Sequence, residues 1–227
     1  MITRLACLSA LALAASPSFA VVLATSTFSD GPDDWTAKNG STDLAWVGSG
    51  GATDGGGFVQ ASDQSGDVLW FFSAPTKFIV QAGKAYGGLL SFQLRVVSPS
   101  PPNAGNYASV QLLAADGSSL SYFGNFQPTA SWSNYLVPLM PGPKWSFSAP
   151  TLQAASPPTA EQMQAVLSDL NAIRILGDYR QKGELTGLDS VVLVASNVPE
   201  PAPLALWAAG ALALGIRART ARGRQPR

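Results

Sequence analysis

The chain has 227 residues with 14 basic and 14 acidic side chains, one cysteine and no histidine, which allows one ordinary domain plus terminal segments and a core that needs no staples. Without histidine, Ser-His-Asp and Cys-His catalysis and imidazole-ligated zinc are excluded. The formal charge of zero hides an asymmetry: residues 21–196 carry thirteen acids against eight bases, a net of −5, while five arginines fall in the last eleven residues, and an acidic domain argues against nucleic acid, whose phosphates need a basic face.

Residues 1–20 read as a secretory signal peptide. Arg4 supplies the charged start, residues 5–15 the apolar region, and Ser18-Phe19-Ala20 a small-x-small cleavage site. The competing reading is an N-terminal anchor, but the apolar run is shorter than the about 20 residues of a membrane span. Cys7 lies ahead of the apolar region and forms no lipoprotein box, so the exported part has no thiol chemistry and no disulfide.

Residues 21–66 are rich in Gly, Ser, Thr and Asp, with short apolar islands at 21–23, Phe28, Trp35, 44–47 and 58–59, the spacing of short strands and long loops in an all-β domain. Asp30, Asp33, Asp34, Asp54, Asp63 and Asp67 are interleaved with glycine. Loop aspartates of this kind are candidate ligands for a structural calcium ion, which wants six to eight oxygens and tolerates irregular geometry. The plainer reading is a solvated acidic surface, since no D-x-D-x-D-G loop is present.

Residues 68–97 hold two apolar β-rich runs joined by a short polar turn, and this pair is expected to organise the rest. The first, 68–73, shows no alternation, as in a strand covered on both faces or one ending at a sandwich edge, and Pro75 stops it. In the second, Leu90, Phe92, Leu94 and Val96 share one face at a period of two, with Ser91, Gln93 and Arg95 on the other. A proline-rich loop at 98–103 leads to apolar runs 107–114 and 118–123, joined by Asp116-Gly117, which predicts a hairpin with a two-residue type I′ turn. Residues 132–139 form a further strand, and Trp145 and Phe147 start another short one.

Thr159 and Gln162 form a capping box, with Glu161 at the positive end of the dipole. Met163, Val166, Leu167, Leu170 and Ile173 or Arg174 then follow helical spacing, so a helix is expected from Thr159 to about Leu176, ended by Gly177. Residues 188–194 are the closing strand. The prolines at 199–203 break the pattern, residues 204–216 are apolar throughout, and Arg217, Arg219, Arg222, Arg224 and Arg227 follow. Such a segment is expected to stop in the inner membrane with its arginines inside. Thirteen residues is short for a span, and including 198–203 it reaches 19, just past the lower limit of about 17.

Two resemblances rest on these residues. Val198-Pro199-Glu200-Pro201-Ala202-Pro203, the apolar run and the arginines resemble a PEP-CTERM sorting signal, with Pro199, Glu200 and Pro201 matching the motif. That implies an exosortase-type processing enzyme as partner, transient anchoring in the inner membrane and release to the cell surface or exterior. Residues 27–194 resemble the laminin domain IV (laminin B) family. The matching pieces are Trp35, Phe71-Phe72-x-Ala74-Pro75-x-Lys77-Phe78, Tyr86-Gly87-Gly88-x-Leu90-x-Phe92, Trp132, Trp145, Val166-Leu167-x-x-Leu170-x-x-Ile173-Arg174, Tyr179 and Leu188-Asp189-x-Val191. This resemblance implies an all-β jelly-roll sandwich, like galactose-binding domains, in a structural or adhesive and non-catalytic role.

The expected function is therefore an exported binding or structural module, in contact with exopolysaccharide or extracellular matrix. Trp35, Trp46, Trp70, Trp132 and Trp145 offer aromatic platforms for sugar rings, Trp46 best because the glycine-rich 48–57 loop flanks it; burial in a sandwich core is the commoner fate of tryptophan. The alternative is a carbohydrate-active hydrolase using two carboxylates. Glu161 is explained by its helix position, which leaves Glu184 and the loop aspartates, none in a recognisable motif.

Overall fold

The computed structural model describes residues 21–53, 55–64, 68–98, 100–150, 155–181 and 183–196. The signal peptide at 1–20, the Pro199-Glu200-Pro201 motif, the 204–216 apolar run and the terminal arginines lie outside the described residues. Among the described residues no helix is long and apolar enough to cross a membrane.

Among the described residues twelve strands form in chain order: β1 (Val22–Ser26), β2 (Thr36–Lys38), β3 (Ala45–Val47), β4 (Phe58–Ser62), β5 (Phe71–Ser73), β6 (Leu89–Val97), β7 (Val110–Ala114), β8 (Ser119–Tyr122), β9 (Ser133–Pro138), β10 (Trp145–Ser148), β11 (Leu170–Leu176) and β12 (Leu185–Val194). Two short helices, α1 (Thr76–Ile79) and α2 (Ala160–Ser168), complete the fold. The alternation read in β6 holds: Leu90, Phe92, Leu94 and Val96 are buried, with Ser91, Gln93 and Arg95 on the opposite face. β6 pairs with β9 on one side and β12 on the other, in a first sheet of order β3-β4-β12-β6-β9. β12 shares its second edge between β4, along Leu185–Leu188, and β1, along Val191–Val194. An irregularity between Asp189 and Val192 separates the two halves, and there the Asp189 carboxylate accepts from Ala52 N at 2.6 Å and Ser190 N at 2.5 Å. The second sheet runs β10-β8-β7-β11-β5-β2. Every pairing is antiparallel.

Three expectations are corrected. β5 and β6 are not partners: they lie in different sheets, joined through α1 and a 3-10 turn at Ala82–Ala85 that drives Phe78, Ala82 and Ala85 into the core. Pro75 blocks a direct hairpin and is preorganised for the start of α1. Of 68–73, only Phe71–Ser73 forms a strand, beside edge strand β2; Phe71 and Phe72 are buried, whereas Val68 is 49% exposed.

The helix is half as long as its spacing suggests. The capping box forms, with Thr159 Oγ1 accepting from Gln162 N at 3.2 Å and Gln162 Oε1 accepting from Thr159 N at 2.8 Å. Met163, Val166 and Leu167 are buried as expected. After Asp169 the chain turns into β11, where Ile173 and Ile175 face the core and Arg174 faces out. Leu170 and Ile173 satisfy a helical spacing, but Ile173-Arg174-Ile175 also alternates, and β-branched side chains in a strand between β7 and β5 win.

The Asp116-Gly117 hairpin joins β7 to β8, with Leu113 opposite Ser119. Its loop has three residues, because Ala114 N donates to Ser118 O at 2.9 Å and Gly117 N to Ala114 O at 3.2 Å. Only Gly117 takes positive φ, 88°. The turn is thus of the type I plus glycine-bulge kind and not type I′, and the Asp116 carboxylate secures it by accepting from Ser118 N at 2.7 Å and Ser118 Oγ at 2.6 Å.

The inner faces of the two sheets form one core. Where β11 begins, α2 adds Met163, Val166 and Leu167 to it; where β11 ends, Trp70 lies fully buried against Phe72 with ring centroids 5.0 Å apart. Burying each such side chain stabilises the fold by about 1.5–3 kcal/mol before entropy is subtracted.

Candidate functional site

The second sheet turns a polar face outward. Ala37, Phe72, Ile175, Val110, Tyr122 and Trp145 point to the core, so Thr36, Ser73, Arg174, Gln111, Ser121 and Ser146 beside them point away from it, while Phe71 and Leu176 on that side are buried. The register aligns Thr36 with Ser73, Ser73 with Arg174, Arg174 with Gln111, Gln111 with Ser121, and Ser121 with Ser146. One transverse row of hydroxyl, amide and guanidinium groups therefore crosses all six strands, spanning about 24 Å at the usual inter-strand spacing. The adjacent row adds Ser119 and Ser148. Arg174 Nε is buried and has no hydrogen-bond partner in the protein.

This face ends in a pocket. Leu176 and Ser109 continue the face two residues beyond Arg174 and Gln111, tied by Leu176 N donating to Ser109 O at 3.0 Å. Loop side chains rise around them, Asn103, Asn106, Asn125 and Gln127 among the lining groups, with Asp178 and Tyr179 completing it. The proline-rich segment cannot enter a sheet. It folds back instead over the end of β11, where Asn103 N donates to Tyr179 O at 3.0 Å and Pro102 forms an isolated bridge with Arg180. Phe126 anchors the opposite wall by packing on Tyr135, centroids 4.3 Å apart.

The electrostatics of the pocket follow from burial. Asp178 is raised to about 6, chiefly by desolvation; Asn103 Nδ2, donating to its Oδ1 at 2.6 Å, opposes the shift and the charge of Asp63 adds to it. Glu184 is raised to about 8, again by burial first, with the Asp178 charge adding. Its two oxygens accept from Trp70 Nε1 at 3.1 Å, Tyr179 N at 2.8 Å and Arg180 N at 2.7 Å, which fixes the turn beneath the pocket. The Tyr179 hydroxyl is buried without a hydrogen-bond partner, and burial pushes its pKa well above the usual value. A buried polar group left unpaired is costly, and the Tyr179 hydroxyl is such a group at this pocket.

The residues singled out in the sequence are elsewhere and apart. Trp46, on edge strand β3 of the first sheet, is 42% exposed and donates its indole N–H to Phe28 O at 2.8 Å. Trp35, Trp70 and Trp145 are core residues. Trp132 stacks on Arg95, whose guanidinium also covers Phe58 at 4.3 Å, on the outer face of the first sheet. Asp30, Asp33 and Asp34 line a separate hollow with Lys77, where Asp33 pairs with Lys77 and accepts from Ser26 Oγ at 2.6 Å. Asp63 sits in a bridge with Ser41; Asp54 and Asp67 lie outside the described residues. Among the described residues no three His, Cys, Asp or Glu side chains are grouped so as to hold a metal. Sequence reading missed Arg174, Gln111 and the amide lining. The Ser-x-Ser alternation of Ser119/Ser121 and Ser146/Ser148 was the available signal.

Fold and polar sheet face together define a class, the antiparallel β-sandwich module of jelly-roll type. The profile of the Laminin B (Domain IV) family matches residues 71–208, more than half of the chain, and the chain belongs to that family. It is 28% identical over 194 residues to laminin subunit gamma-1 of Xenopus tropicalis, a match that spans 80% of this chain and 11% of that protein. The L4b domain of human laminin alpha-2 superposes with a TM-score of 0.51 at 13% identity, over 61% of this chain and 79% of that one. The CBM22-1-CBM22-2 tandem domain of Paenibacillus barcinonensis Xyn10C gives a TM-score of 0.52 at 15% identity, over 82% of this chain and 50% of that one. At these identities the structural likeness is one of fold.

Proposed function

We propose that the chain is an exported, non-catalytic binding module that holds polysaccharide on the outer face of its second sheet. The observation that carries this reading is the six-strand polar row with an amide-lined pocket beside it at the end of β11; Arg174 Nε in the row and the Tyr179 hydroxyl at the pocket are buried with no partner in the protein. Hydroxyl and amide side chains both donate and accept, as a polyol requires. Membership of the laminin B family and a sandwich shared with a carbohydrate-binding tandem support the reading. Hydrolysis would need two carboxylates facing one substrate. Glu184 does not line the pocket, and its oxygens are taken up by Trp70 and two backbone N–H groups.

In the same proposal residues 1–20 export the chain and residues 204–216 hold it in the inner membrane until an exosortase-type enzyme acts near Pro199-Glu200-Pro201. Mass spectrometry of the C-terminus from the native host reads this directly, because a tail kept intact through Arg227 in every fraction contradicts sorting. For the binding role, the chain is run through gels containing single polysaccharides while soluble products are assayed. Retardation by at least one polymer without product release is expected; product release that survives purification and is lost in Asp178→Asn would make it a hydrolase.

A further inference from the structure

The second sheet carries charge of one sign only. In a region with thirteen acids against eight bases, β2, β5, β7, β8, β10 and β11 contain no Asp or Glu, and their charged side chains are Lys38 and Arg174. Both stand on the outer face: Lys38 opposite Phe71 on an edge strand, Arg174 near the middle of the polar row between Ser73 and Gln111. Neither is in an ion pair among the described residues. Asp178, which borders the face at the pocket, has its carboxylate on Asn103.

We propose that this face takes an acidic polysaccharide, a uronate carboxylate seated on the Arg174 guanidinium and the sugar chain laid across the strands along the row from Thr36 to Ser146. This rests on the reading of the face as a polysaccharide site. The planar guanidinium fork matches a carboxylate with two parallel hydrogen bonds, and no carboxylate among the described residues is in an ion pair with it. Thr36, Ser73, Gln111, Ser121 and Ser146 are left to bond ring hydroxyls on either side. Lys38 adds a second cation near the edge, which raises the encounter rate with a polyanion against the net negative charge of the domain.

The test is affinity electrophoresis of the full chain in polygalacturonate, in a neutral mixed-linkage glucan and in dextran sulfate, at low and at physiological salt. Polygalacturonate is expected to retard the chain more than the other two. Arg174→Gln should weaken that retardation about tenfold, and Arg174→Lys should fall between because it keeps the charge without the fork. Lys84→Gln, away from this face, should leave it unchanged. Equal retardation by dextran sulfate, or an Arg174→Gln variant that binds as the parent does, would overturn the uronate assignment. Retardation by the neutral glucan alone would overturn it while leaving the polysaccharide reading intact, and no retardation by any polymer would overturn both. Should Arg174→Gln fail to melt cooperatively, Lys38→Gln on the exposed edge strand serves instead, and polygalacturonate binding that this change does not weaken would count against the proposal.

Discussion

Asp178 and Glu184 flank the turn that leaves β11, and each is held there at the expense of its charge. Both bind a proton more tightly in the folded chain than the free groups do, at about 6 against 3.8 and about 8 against 4.5. An acid raised in this way contributes its stability fully below the unfolded value and loses it as pH rises through the folded one. The melting temperature is therefore expected to decline from about pH 5 to about pH 8, with Glu184 responsible for the upper part of the fall. Glu184→Gln should flatten that upper part while lowering stability by about 1 kcal/mol, because an amide cannot accept on both sides as the carboxylate does. A flat profile in the parent, or a variant profile parallel to it, would refute the assignment.

At the scale of elements, the parts of the fold legible in the sequence were those with one dominant local signal. Leu90 to Val96 alternates without ambiguity and forms the first sheet's longest clean face. Thr159 and Gln162 begin α2 where their side chains say they should. Residues 170–176 were misread because Leu170 and Ile173 fit a period of 3.6 and Ile173 and Ile175 fit a period of two; only the vacancy between β7 and β5 decides, and that is tertiary information. Gly177 was given a helix-ending role and instead gives the buried Trp70 its space, since a Cβ there would run into the Trp70 ring. Trp70 cannot move aside, being fully buried and bonded to Glu184. Gly177→Ala should thus cost about 1–3 kcal/mol in denaturant unfolding, whereas Gly142→Ala, whose added Cβ would meet only Met140 O at 4.0 Å, should change stability by less than about 0.5 kcal/mol. Equal effects at the two sites would mean that the Trp70 packing does not govern this end of the sandwich.

For the molecule as a whole, the two sheets differ in what their outer faces are free to do. On the first, Trp132 lies over Gly187 and Arg95, its indole N–H donating to Gly50 O at 3.1 Å, and Asp189 clasps the same glycine-rich loop through Ala52. That face is occupied by the protein itself. The second presents hydroxyls, an amide and an arginine across six strands. Composition made a binder more economical than an enzyme, but it pointed to Trp46, because an exposed tryptophan is visible in a sequence and a row assembled from six separate strands is not. The candidate face exists only once the register is known: Thr36 and Ser146 are over a hundred residues apart in the chain and meet the same row.

The most direct measurement of the central claim is an amide-resolved NMR titration of the isotope-labelled domain with an oligosaccharide of whichever polymer retards it. The account predicts that the shifts concentrate at Thr36, Ser73, Asn103 to Gln111, Ser119 to Ser121, Asn125 to Gln127, Ser146 and Arg174 to Arg180, with Trp46, Arg95 and Trp132 unmoved. Shifts gathered instead around Trp46 and Trp132, with the row from Thr36 to Ser146 silent, would place the ligand on the first sheet and contradict it.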